Sequence, residues 1–151
     1  MTKMQLVRRE KAWGDTAVDG LLAGLFGGLL MGLFLALAGW LNDGAPLATL
    51  GYFDPAQAGS WLTGLLAHLA VSAIYGVGLA LLLRVVGWIR PSLTKLAWLF
   101  GGLYGLLLWG LAVGVVLTAV ASALAQIPAW EFGLAHLLYG LAAGYRLQKV
   151  H

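Results

Sequence analysis

Two histidines are the side chains of this sequence best able to do chemistry inside an apolar setting. His68 lies seven residues after Trp61 and His136 six after Trp130, so on helices each sits about 9 to 10 Å along from its tryptophan. Each also heads a polar face. His68, Ser72 and Tyr75 fall at i, i+4 and i+7, and His136 and Tyr139 at i and i+3, spacings that share one side of an α-helix. Two neutral imidazoles at one depth between helices are what the axial ligation of a haem b iron, or separate ligation of chlorin magnesium, would need. A buried histidine can equally be satisfied by a tyrosine hydroxyl or a backbone carbonyl, or can line a wet path. The candidate cofactor-binding residues are therefore His68 and His136, with Tyr75 and Tyr139 beside them. His151 is terminal and carries no expectation.

What is missing narrows the chemistry further. Cysteine is absent, which removes disulfides, thiolate metal sites and redox dithiols together. Asp15, Asp19, Asp43, Asp54 and Glu131 all fall near the ends of apolar runs or in loops, whereas proton- or sodium-coupled carriers generally need a carboxylate within the membrane. Small drug exporters of similar size depend on such a residue in their first helix, and this chain departs from that pattern. No Glu-x-x-His pair suggests a di-iron site, and no nucleophile has a positioned base. No metal site and no catalytic activity are expected. The size and the seven tryptophans bring to mind the tryptophan-rich sensory proteins, but those have five helices and proline-rich tryptophan motifs that this sequence lacks.

The elements that must hold the histidines are apolar helices. Of the 151 residues 61% are hydrophobic and 10% charged, against roughly 25% charged in soluble domains. The mean hydropathy is +0.88, so lipid is the expected solvent for most helix faces. Four stretches stand out, about 18–40, 62–86, 96–118 and 128–145. At the helical rise the first three are about 34 to 38 Å long and the last about 27 Å, bracketing a hydrocarbon core of roughly 30 Å. Thr16 and Asp19 have the spacing of a capping box for the first helix, Asn42-Asp43-Gly44 suits its end, and Ser60 suits the N-cap of the second. Pro91-Ser92 breaks the chain between the second and third, and Pro128 suits the first turn of the fourth. The connection 41–60 is apolar enough to lie on the membrane surface or fold back over the bundle.

Charge orients the array. Lys3, Arg8, Arg9 and Lys11 precede the first stretch, Arg84, Arg90 and Lys95 surround the second connection, and Arg146 and Lys149 follow the fourth. All nine cations then lie on one side, so the positive-inside rule places both termini in the cytoplasm. Trp40, Trp61 and Trp130 mark the outer interface and Trp13, Trp88 and Trp98 the inner one. The net charge of +3 orients the chain and is no nucleic-acid signal. The segment Met1 to Trp13 is expected either as a short interfacial helix or as a solvated tail.

Gly20, Gly24, Gly28 and Gly32 form a ladder with spacing four, repeated more loosely as Gly101, Gly105, Gly110 and Gly114. Missing side chains on one stripe let another backbone approach closely. Intramolecular packing is the simpler use of both stripes; the alternative leaves one open to a partner subunit, a lipid tail or a flat cofactor. Gly27-Gly28-Leu29 matches Gly101-Gly102-Leu103, and Ala67-His68-Leu69…Tyr75-Gly76 matches Ala135-His136-Leu137…Tyr139-Gly140, the last pair four residues closer together, a pattern that a duplicated two-helix hairpin with one helical turn inserted or lost would leave, as would chance in so Leu- and Gly-rich a sequence. Through the glycine ladder and the segments Ala67 to Gly76 and Ala135 to Gly140 the chain resembles the uncharacterised small four-span inner-membrane proteins of bacteria. That resemblance implies a bacterial inner-membrane setting and a four-helix fold, and transfers no activity.

The expectation is thus an all-α membrane protein: one domain, a four-transmembrane-helix bundle with both termini inside, in contact with lipid and not with nucleic acid. Three roles follow from it. The first is a non-catalytic accessory subunit packing against larger membrane subunits or against itself, which asks for no chemistry the residues do not supply. The second is a haem- or chlorin-binding protein using His68 and His136. The third is a small oligomeric channel or transporter lined by the His/Tyr face.

Overall fold

A computed structural model of the chain describes residues 12–43, 45–119 and 122–150. Helix α1 spans Trp13–Asp43, a single turn α2 spans Ala48–Gly51, and α3 spans Trp61–Ile89. A 3-10 segment, Pro91–Leu96, leads into α4 at Ala97–Leu111, which continues as a π-helical segment at Ala112–Val116 and ends in the short α5 at Leu117–Ala119. A further 3-10 turn at Ala123–Gln126 precedes α6 at Ala129–Val150. No strand occurs among the described residues. Of the segment Met1 to Trp13, expected as an interfacial helix or a solvated tail, Met1 to Lys11 lie outside the described residues, as do Gly44, Val120, Ala121 and His151.

Three helical stretches are long and apolar enough to cross a membrane: Trp13–Asn42, Trp61–Ile89 and Pro91–Ala119. Their outward faces carry Leu33, Leu66, Ile74 and Leu103, each more than half exposed, which suits hydrocarbon and not water. The fourth expected stretch forms the helix α6, but Glu131, Arg146, Gln148 and Lys149 make it more polar than the other three. Helices α1 and α3 overrun their apolar runs at both ends, and α6 overruns its run at the C-terminal end. Hydropathy marks the segment that lipid must cover, while backbone hydrogen bonding continues into the flanking polar turns.

The ends follow local chemistry, with one correction. Thr16 and Asp19 do not open α1, because the helix starts at Trp13, where Asp15 reaches back to accept from the Ala12 N–H at 3.1 Å. Thr16 instead lies one turn inside, buried, accepting from the Arg84 guanidinium at 2.6 Å. Arg84 also donates to the Ala12 carbonyl at 2.9 Å and sits 4.3 Å over the Trp13 ring, so a cation on α3 fastens the start of α1. Ser60 caps α3 as expected, accepting from the Thr63 N–H at 3.3 Å.

Glycines set the helix pairing. A Cβ on Gly76 of α3 would meet the carbonyl oxygen of Gly20 and the main chain of Gly24 on α1. A Cβ on Gly140 of α6 would likewise meet the main chain of Gly101 and, at 3.0 Å, the Gly105 nitrogen on α4. These are the same backbone-to-backbone crossing used twice, once in each antiparallel pair. The equivalence aligns Gly20 and Gly24 with Gly101 and Gly105, so Ser72, four residues before Gly76, matches His136, four before Gly140. His68 therefore stands one turn away from the position matching His136. The two Gly-Gly-Leu segments are not equivalent either, since Gly27 packs on Tyr139 whereas Gly101 packs on Gly140 and Gly144.

The second stripe does not run the length that its sequence suggests. Gly110 and Gly114 face open space, correcting the expectation that they pack against a helix of this chain. Five residues separate Gly105 from Gly110, an advance of about 140° around the helix, which turns the rest of the stripe away from α6.

Helix α1 is central, packed against both α3 and α6, while α6 in turn packs on α4. Asn42 at the end of α1 donates to Glu131 at the start of α6 at 2.6 Å, so these two run antiparallel and α3 and α6 run parallel. Near the basic end, Ala23, Leu79, Leu83, Ala97, Ala143 and Leu147 form one core cluster. Near the opposite end, Met31, Leu35, Leu108, Phe132, Ala135 and Tyr139 form another. Helices α3 and α4 flank the same side of the array and barely touch.

Candidate functional site: a histidine-lined cavity between α3, α4 and α6

The weak contact between α3 and α4 leaves a cavity of about 450 Å³. His68, Ser72 and Tyr75 line it from α3, His136 and Tyr139 from α6, Leu108 from α4 with Ala112 and Val116 from the π-helical segment, and Phe53 and Asp54 from the connection above. All four candidate cofactor-binding residues of the sequence thus reach one cavity. The glycine stripe contributes indirectly: by admitting α3 against α1, it sets the His68-Ser72-Tyr75 face beside α6.

The floor is made of tyrosines. Tyr139, only 2% exposed, donates its hydroxyl to the Ser72 carbonyl at 2.8 Å. Tyr104 donates to the Tyr75 carbonyl at 3.1 Å, the bond that ties α4 to α3 below the cavity. Beyond these rings lies the core cluster of the basic end, so the cavity is closed toward the cations.

The roof is the folded-back connection. Its apolar residues cover the bundle as expected, with Thr49, Leu50 and Asp54 buried. The Asp54 carboxylate accepts from the N–H groups of Ala56, Ala58 and Ser60 at 3.1, 3.2 and 3.1 Å, a knot tightened by left-handed backbone at Gln57 and Gly59. It presents Phe53 to the cavity, with ring centroids 4.8 Å from His68 and 6.5 Å from Phe132.

Each histidine has one ring nitrogen assigned by a carbonyl. A carbonyl can only accept, so the His68 Nε2–H donates to Gly28 at 2.9 Å and the His136 Nδ1–H donates to Phe132 of its own helix at 2.8 Å. In the neutral rings the lone pairs then lie on Nδ1 of His68 and Nε2 of His136, and neither atom has a hydrogen-bond partner among the described residues. The two rings are therefore held in opposite tautomers. No group of three His, Asp or Glu side chains gathers as a metal-ligand set among the described residues.

The cavity opens sideways. Val71 and Tyr75 on α3 and Val116 beyond α4 line it and are also 48%, 42% and 51% exposed, so the gap between those helices is a mouth; Pro55 and Gln57 of the roof line it too and are exposed. Sequence reasoning found the histidines and tyrosines but not Phe53, Asp54 or Phe132. For Phe132 the signal was present, four residues before His136 on the same helix face. For Asp54 it lay in Asp54-Pro55 and Gly59, the residues of a tight turn. Comparison with known proteins gives no match: no family model, no curated protein and no solved structure is similar to this chain.

Proposed function

We propose that this chain is a non-catalytic, four-span protein of the bacterial inner membrane that takes a small apolar molecule out of the bilayer into the cavity between α3, α4 and α6. The observation that carries this reading is the sideways mouth bounded by Val71, Tyr75 and Val116. A cavity serving only solutes from water would need no opening between the helices. This one has a mouth on faces whose other residues suit lipid, and its volume falls within the roughly 300 to 1,000 Å³ of small-molecule sites.

The topology rests on the same geometry. Helix α6 packs along α1 and α4, both apolar enough to cross, which supports its crossing with them, its polar ends at the two interfaces. The described cations, Arg84, Arg90, Lys95, Arg146 and Lys149, share one end of the array, and the positive-inside rule makes this support for cytoplasmic termini. The chain has no cysteine of its own, so single cysteines report directly: Lys149→Cys is expected to react only from the cytoplasm and Ala56→Cys only from outside.

A second reading, an accessory subunit packed against larger membrane proteins, is favoured by Gly110 and Gly114. Both face open space among the described residues, the second on a segment with no fully buried residue, and small residues on a lipid-facing stripe suit a partner helix. The two readings are compatible. A channel draws less support, because Tyr139 and the cluster beneath it fill the bundle toward the basic end.

Purification from the native membrane in mild detergent tests the binding reading. An organic extract holding one small-molecule species in amounts comparable to the protein supports it. An extract with phospholipids alone, in the proportions of the surrounding membrane, overturns it.

A further inference from the structure

The chemistry of the lining narrows the occupant. Among the described residues no Lys or Arg lines the cavity, so an anionic head such as a carboxylate or phosphate would be buried without a partner. The carboxylate present, Asp54, already accepts three main-chain N–H groups, so a cation gains little there. The head that enters is neutral.

Its hydrogen-bonding sense follows from the tautomers. Nδ1 of His68 and Nε2 of His136 each present a lone pair with no donor among the described residues, while the Ser72 and Tyr75 hydroxyls can donate or accept a hydrogen bond as the partner requires. Two unfilled acceptors ask for a head that donates. Phe53 over His68 and Phe132 edge-on to His136, with centroids at 4.4 Å in the second pair, supply faces and edges for a flat ring.

We propose that the occupant is a neutral amphiphile with a phenolic head, whose single O–H donates to the free Nε2 of His136, beside His68, and whose apolar tail leaves between α3 and α4. This rests on the binding reading above and specifies its ligand. It also separates the site from a doubly ligated metalloporphyrin. The free nitrogen of His68 is Nδ1, adjacent to the carbon that carries the side chain, where a planar macrocycle is crowded and a hydroxyl is not.

The test uses the full chain in phosphatidylcholine nanodiscs, titrated with 4-nonylphenol and with 4-nonylanisole, its methyl ether, which has the same ring and tail but no donor. The phenol is expected to bind about tenfold more tightly, since a site built around polar groups discriminates strongly against a ligand that leaves them unpaired. His136→Phe keeps a ring of similar shape without the nitrogens and is expected to reduce that preference severalfold. If this variant fails to fold, the pair of ligands on the unaltered protein decides alone. Equal binding of phenol and ether would leave a lipophile site standing but overturn the phenolic head. Binding of neither would remove the cavity as a site. An iron or magnesium porphyrin that binds more tightly than the phenol, with a shifted visible band, would replace this proposal with metal ligation.

Discussion

The hydroxyl of Tyr139 on α6 and the main-chain carbonyl of Ser72 on α3 are joined by a 2.8 Å hydrogen bond that reaches past α1. The same stretch of α3 is where Gly24 and Gly28 of α1 come against Ser72, so three helices meet at one residue. Tyr139→Phe keeps the ring and removes the donor. It is expected to lower stability by about 1 kcal/mol, the usual net value of such a bond in water and near the upper part of the range in membranes. Thermal unfolding in nanodiscs measures this, and a loss of the whole transition would mean that the tyrosine does more than close the floor.

Replacing individual glycines separates packed from open stripes. Gly76→Ala places a methyl against the Gly20 carbonyl and the Gly24 main chain, so α1 and α3 must part along their length. A loss of about 1 to 3 kcal/mol is expected, as for other overpacked interiors. Gly110→Ala meets nothing within the chain and is expected to be neutral, or to gain up to about 1 kcal/mol from helix propensity. Gly110→Leu adds a discriminating measurement: an unchanged unfolding temperature in the isolated protein, together with lost co-migration on native gels of whole membranes, identifies a partner helix at that face.

The difference between Gly76 and Gly110 also shows how far the sequence could be read. Composition and run length located the apolar helices, because solvent preference is summed over about twenty residues and tolerates local error. The glycine ladder of α1 was legible because a spacing of four keeps it on one stripe. Its counterpart on α4 was misread past Gly105, where one extra residue rotates the stripe. The histidines were legible by type and spacing, and so was the match of Tyr75-Gly76 to Tyr139-Gly140, with His68 one turn out of step as the shorter spacing in α6 implies. Backbone crossings, not side-chain identity, define the repeat, and they align His136 with Ser72. The fold-back of the connection was legible in its apolar residues, but the part played by Asp54 was not, because it rests on three N–H groups whose convergence depends on the turn itself.

That turn can be opened without touching the helices. In Asp54 one oxygen accepts from both Ala58 and Ser60 and the other from Ala56. Asp54→Asn forces an NH2 group against one of these sets of donors, leaving buried groups unsatisfied at a cost of about 1 to 3 kcal/mol. The expected result is local: faster hydrogen exchange at residues 56–60, with protection of the α1 and α6 amides unchanged. Phe53 should lose its fixed place over His68, so affinity for the cavity ligand is expected to fall as well. Global unfolding of Asp54→Asn would instead make the roof part of the folding core.

The mouth can be closed in the same spirit. Val71 is 48% exposed at its edge, and Tyr75 lies one turn along α3 on the same face. A larger side chain at 71 has room outward toward lipid and can lean across the gap toward Val116. Val71→Trp is therefore expected to leave the unfolding temperature within about a degree, since surface changes usually cost less than 0.5 kcal/mol, while slowing ligand association several-fold. Stopped-flow mixing of ligand-loaded vesicles with protein nanodiscs measures the rate. Leu66→Trp, on α3 but absent from the lining and 60% exposed, is the matched control and should bind at the original rate. If both variants associate as fast as the unaltered protein, the ligand does not pass between α3 and α4, and the roof formed by Phe53 becomes the route to examine.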